Sequence, residues 1–118
     1  MATYSRVLLS GSTNGRAIPV VATATPGTAI HTAVGGTTSF DEVYMWASNV
    51  TGSAATLTIE WGGVLDPGDH MNKALSIPAN SPPIPIATGQ VLNNTLLIKA
   101  FSGTASAINL TGYVNRIA

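Results

Sequence analysis

The stretch Glu42-Val43-Tyr44-Met45-Trp46-Ala47-Ser48-Asn49-Val50 decides how this chain folds. Its period is two. Val43, Met45 and Ala47 fall on one face of an extended strand, and Tyr44, Trp46 and Ser48 fall on the other. A short break at Asn49–Ser53 leads into Ala55-Thr56-Leu57-Thr58-Ile59-Glu60-Trp61, where Leu57, Ile59 and Trp61 alternate with Thr56, Thr58 and Glu60. Two alternating runs joined by a short Gly-containing loop predict an antiparallel hairpin, with Trp61 in the core and Glu60 on a solvated face. Gly62-Gly63 ends it.

The same grammar extends in both directions. Upstream, Tyr4–Ser10 and Arg16–Ala22 flank Gly11-Ser12-Thr13-Asn14-Gly15, and Asn14-Gly15 is a hairpin signal because both residues tolerate positive φ. Thr28–Ala33 follows Thr25-Pro26-Gly27, read as a turn in which Pro sets φ and Gly takes the left-handed position. Downstream, an Asp66–His70 loop precedes Lys73–Ile77. The Pro78–Pro85 segment has four prolines that remove ladder donors, so it is expected to be extended edge chain. Gly89-Gln90 and Asn93-Asn94 punctuate the approach to Thr95–Phe101, and Ala107–Ile117 is the last strand, with Gly112 as a bulge. No window favours the helical period. The expectation is an all-β chain: a single antiparallel β-sandwich over residues 1–118, jelly-roll-like or immunoglobulin-like, with about eight strands, and spacing alone does not choose between those topologies.

Composition removes several function classes. Of 118 residues five are basic and five acidic, a net charge of zero and only 8% charged, against roughly 25% in an ordinary soluble domain. Five scattered cations do not build a phosphate-neutralising surface, so no nucleic-acid partner is expected. At 45% hydrophobic the chain is not a charged disordered tail. The absence of Cys excludes disulfides, thiolate zinc sites and a cysteine nucleophile. Val7-Leu8-Leu9 is too short for a signal-peptide core, and Ala17–Ala22 is far too short to span a membrane. The chain reads as a product of the cytoplasm with no membrane partner. On that reading the triplets beginning at Asn49, Asn93 and Asn109 match the glycosylation pattern by chance in a Thr-rich sequence.

Candidate chemistry is sparse. His31 alternates with Ile30 and reads as a half-buried or interface histidine hydrogen-bonded to backbone. His70 follows Asp66-Pro67-Gly68-Asp69, a set that includes hard-cation ligands but has ordinary turn composition, so no metal is assigned. Asp41 and Glu42 are adjacent and point to opposite faces of a strand, which rules them out as a glycosidase pair. No nucleophile elbow, P-loop or dinucleotide fingerprint occurs. The expectation is no catalytic residue, no cofactor and no enzyme. One face of the Glu42–Val50 strand carries more apolar surface than a solvated face should, whichever side is inside.

Taken together, Val7–Val20, Pro26–Ala33, the Glu42–Gly63 pair of strands and Ala107–Ile117 resemble the small jelly-roll structural proteins of tailed bacteriophages. The likeness is closest to the capsid decoration, or cement, proteins on the outside of phage heads. That resemblance implies a virion protein on the capsid surface, made in the host cytoplasm. It also implies a homotrimer whose other partner is the major capsid protein. A carbohydrate- or receptor-binding module of a tail or fibre is the alternative, with its pocket at loop ends around Gly35–Phe40 or Asp66–Asn72. The residues expected to make contacts are Tyr4, Tyr44, Trp46 and Pro82-Pro83-Ile84-Pro85, with Arg6, Arg16 and Arg116 as rim donors.

Overall fold

The computed structural model describes residues 3–118; Met1 and Ala2 lie outside the described residues. Among the described residues nine strands form two antiparallel sheets. They are β1 (Tyr4–Leu8), β2 (Ile18–Pro19), β3 (Thr28–Thr32), β4 (Phe40–Asn49), β5 (Ala55–Trp61), β6 (His70–Ile77), β7 (Ile84–Leu92), β8 (Leu97–Ser102) and β9 (Ile108–Ile117). One sheet runs β1-β9-β4-β7, with β2 also on β9; the other runs β3-β8-β5-β6. The pairing is nested: β2 with β9, β3 with β8, β4 with β7, and β5 with β6. The chain is thus one long doubled ribbon wrapped over itself, a jelly-roll-like arrangement of the β-sandwich that the strand pattern predicts.

β4 organises the core. Its burial alternates strictly, with Asp41, Val43, Met45, Ala47 and Asn49 inward and fully or almost fully buried. Val43, Met45 and Ala47 meet Leu57 and Ile59 of β5, Ile98 of β8, and Leu110 and Val114 of β9 in one continuous apolar cluster. The two ends of the inner row are polar and each ties down a loop.

Several local expectations fail for one reason: alternation reports that a strand has a buried face, not which strand lies beside it. β4 and β5 are not a hairpin; they lie in opposite sheets and face each other across the core. The loop between them is turned over the end of the sandwich by Asn49. Its Nδ2 donates to Ser53 O (2.8 Å) and Ile77 O (3.1 Å), and its Oδ1 accepts from Thr51 N (2.9 Å). The true hairpin is β5–β6. The first two strands are likewise not paired together. Asn14 and Gly15 do take positive φ (55° and 87°), yet β1 and β2 lie end to end along β9. The loop between them instead covers the open side of β3, where Gly11 N donates to Ile30 O (2.8 Å).

Two glycines are explained by close approach. Gly27 does not take the left-handed position; a Cβ there would lie 2.5 Å from Ala100 O. Gly112 is not a bulge, because β4 and β9 pair without a register shift from Phe40↔Ile117 to Asn49↔Ile108. A Cβ at Gly112 would lie 2.0 Å from Tyr44 O and 2.9 Å from Met45 Cα. The bulges are elsewhere, notably in β7, which continues through Gly89 (φ 113°) as an edge strand beginning Ile84-Pro85. Gly112→Ala should therefore destabilise the fold by at least about 2 kcal/mol in denaturant unfolding. Gly52→Ala, where an added Cβ meets nothing within 4 Å, should stay within about 0.5 kcal/mol of the parent.

Candidate interaction surface

The outer face of the β1-β9-β4-β7 sheet is built by register. Rows across the strands read Tyr4–Ile117–Phe40, Arg6–Asn115–Glu42–Val91, Leu8–Tyr113–Tyr44–Thr88 and Thr111–Trp46–Pro85. Along these rows Arg6 and Glu42 are the charged residues. Tyr4 is 72% exposed, and Leu8 and Val91 are about half exposed.

The aromatics are ordered against one another. Tyr44 and Tyr113 stack with ring centroids 5.2 Å apart and planes 18° apart, and Trp46 tilts against Tyr113 at 6.1 Å. The Arg6 guanidinium lies 4.7 Å over the Tyr113 ring. On the far side, a Cβ at Gly89 would lie 3.3 Å from Tyr44 Oη and within 4 Å of its ring. The order is Arg6, Tyr113, Tyr44, Gly89, so both faces of Tyr113 are covered and Tyr44 is flanked as well. Each such aromatic contact adds roughly 1 kcal/mol beyond area burial. With Tyr113 stacked between Arg6 and Tyr44, its ring faces are not free for a sugar to stack on.

The other expected contact residues are dispersed. Pro85 joins the sheet face opposite Trp46, while Ile84 packs against the core. Pro82 and Pro83 are exposed in the loop before β7 at the other end of β4, and Arg16 is exposed in the loop before β2. Sequence reasoning missed Tyr113, the centre of the row, and Phe40, Leu8 and Ile117 beside it. Tyr113 lies in β9, far from Tyr44 in sequence, and only register joins them.

Arg116 is committed to a buried site. Its Nε donates to Asp41 Oδ1 (2.8 Å) and its Nη2 to Asp41 Oδ2 (3.0 Å). Asp41 also accepts from His31 Nε2 (2.8 Å) and Val34 N (3.1 Å), while His31 Nδ1 accepts from Ser10 N (3.0 Å). Both His31 nitrogens are thus occupied and the ring is buried, which leaves no ring atom to exchange a proton with a ligand. Burial alone would raise the Asp41 carboxyl. The hydrogen bonds from Arg116 and His31, with the charge of the Arg116 guanidinium, outweigh it and hold the group below its ordinary value.

Glu60 is not on a solvated face. It is fully buried and accepts Thr25 Oγ1 (2.5 Å) and Gly27 N (2.7 Å), pinning that turn onto the four-stranded sheet. In the Asp66–His70 loop, Lys73 donates to both Asp66 oxygens at 2.8 Å, which lowers the Asp66 carboxyl. Asp69 Oδ2 accepts from Leu65 N (3.1 Å) and closes the turn. Among the described residues no group of three or more His, Cys, Asp or Glu is placed to hold a metal ion. A shallow cleft of about 190 Å³ lies beside this loop, lined by Trp61, Asp69, His70 and Gln90 among others.

No protein-family model matches the chain, and no curated protein or solved structure matches it either.

A carboxyl held low in the fold stabilises it above the unfolded value of about 4, and that contribution disappears as pH falls through the lower, folded value. The thermal midpoint should therefore fall on acidification below about pH 4. Asp41→Asn should cost about 3 kcal/mol at neutral pH and flatten this part of the acid limb.

Proposed function

We propose that this chain is a structural virion protein: a capsid decoration protein that self-associates and binds the outside of a phage head lattice to stabilise it. The observation that carries this reading is the outer face of the β1-β9-β4-β7 sheet. A contiguous apolar and aromatic patch with only Arg6 and Glu42 as charges has the composition of an interface core, with aromatics and Arg enriched and other charges depleted. The phage-type strand and turn pattern supplies the partner class. The work is mechanical, since apolar area buried at about 25 cal/mol per Å² in each of many repeated contacts resists outward pressure on a shell. Self-association and a major-capsid partner belong to the same proposal.

A tail- or fibre-associated module that binds carbohydrate or a receptor is the second reading. The cleft between Trp61, Asp69, His70 and Gln90 favours it, because it combines a half-buried indole with polar groups at a loop end. The flanked rings of Tyr44 and Tyr113 speak against the sheet face as its sugar platform.

Cosedimentation of purified protein with heads of the phage that carries the gene tests the first reading. Saturable binding is expected, and Trp46→Asp should weaken it by at least about tenfold, the scale of an interface hot spot, in a variant that stays folded but loses the roughly 1 kcal/mol of its contact with Tyr113. Binding to host cells or glycans with none to heads would establish the module in its place.

A further inference from the structure

A sandwich has four sheet edges, and three of those here are blunted. β7 carries Pro85, Gly89 at φ 113° and two register shifts. β6 carries two register shifts and Ala74 at φ 51°. β3 is covered by the loop after β1, through Gly11 N to Ile30 O and Thr32 N to Ser10 Oγ. Among the described residues β1 has none of these devices: Tyr4-Ser5-Arg6-Val7-Leu8 pairs with β9 in unbroken register and is exposed at four of its five positions. Unblunted edges template the addition of another strand, and proteins usually guard against it.

We propose that β1 pairs antiparallel with β1 of a second copy of this chain, about a two-fold axis at Ser5, joining two sheets into one. The hydrogen-bond parity fits. Thr3 and Ala118 exchange N–H···O=C bonds in both directions (2.7 and 2.9 Å). Ladder alternation then turns Ser5 and Val7 toward β9 and leaves the backbone groups of Tyr4, Arg6 and Leu8 pointing to the open edge. With Ser5 opposite Ser5 of the second copy, Tyr4 lies opposite Arg6 of that copy, and each pair exchanges both bonds. Their side chains share the outer face. Tyr113 covers one side of the Arg6 guanidinium, and Tyr4 of the second copy stacks on the other. The neighbouring register, with Arg6 opposite Arg6, sets like charges together and is disfavoured. The contact is self-complementary, as a two-fold interface must be. It also continues the aromatic row across the junction.

The inference is independent of whether the chain binds a capsid, and it makes a dimer, not a trimer, the species in free solution. Light scattering on the purified chain should give twice the 12.0 kDa protomer mass. Hydrogen exchange should find the Tyr4 and Arg6 amides protected in the dimer and open on dilution, while Ser5 and Val7 stay protected in both. Tyr4→Lys, which sets a cation against Arg6, should weaken the dimer at least tenfold, whereas Tyr4→Glu should preserve or strengthen it. Both substitutions are at an exposed position and should leave the monomer folded. A monomer at high concentration, a trimer, or a dimer in which the Tyr4 and Arg6 amides exchange freely would overturn the proposal. None of those results would bear on binding to heads.

Discussion

A carboxylate with no access to solvent fixes how the two sheets of this protein meet. Asp41 ends the inner row of β4 and gathers Arg116 from β9, His31 from β3 and the backbone N–H of Val34. Through His31 it also holds the Ser10 backbone. A buried ion pair adds little net stability over an apolar pair, but breaking one is costly. Its main consequence here is register. Asp41 and Arg116 are direct partners in the β4–β9 ladder, and the same register places Gly112 against Met45 and Tyr44 beside Tyr113. A slip by one residue would turn Asp41 to solvent and the outer aromatics into the core.

Asn49 does the corresponding work at the other end of the same row. Its amide satisfies the carbonyls of Ser53 and Ile77 and organises Thr51, so the chain leaves one sheet and enters the other. Glu60 pins the Thr25–Gly27 turn in a similar way. Ionisable and amide side chains are few in this chain, and several of them are buried as braces. That allocation leaves little charge for the surface, and it explains how a chain with 8% charged residues can still be well specified. The outer face of the β1-β9-β4-β7 sheet then stays apolar and aromatic.

Much of the fold was legible in the residue pattern because a strand with one buried face must alternate. β4 and β5 were located to within about two residues, but of the prolines in the 78–85 segment only Pro85 lies on edge strand β7, the others in the loop before it. The candidate surface was legible in part: Tyr4, Arg6, Tyr44 and Trp46 do lie on one sheet face. Tyr113 was not found, since nothing near it in sequence announces a partner in β4. Arg116 and Glu60 resembled ordinary surface charges, because the groups that bury them, Asp41 and the Thr25–Gly27 turn, are distant along the chain.

The sequence by itself determined that this is an all-β chain and that its central strand alternates between two apolar faces, one of them aromatic. Those properties are local, set by period-two alternation and by Gly, Pro and Asn at the turns. Only the tertiary structure decided which strands are neighbours, that the expected β4–β5 hairpin is a crossing between sheets, and that Gly112 serves close approach between strands. The physical reason is that alternation is satisfied equally by a partner beside a strand and by a partner across the core. The choice between them rests on contacts such as Asp41 with Arg116, whose members lie far apart in the chain.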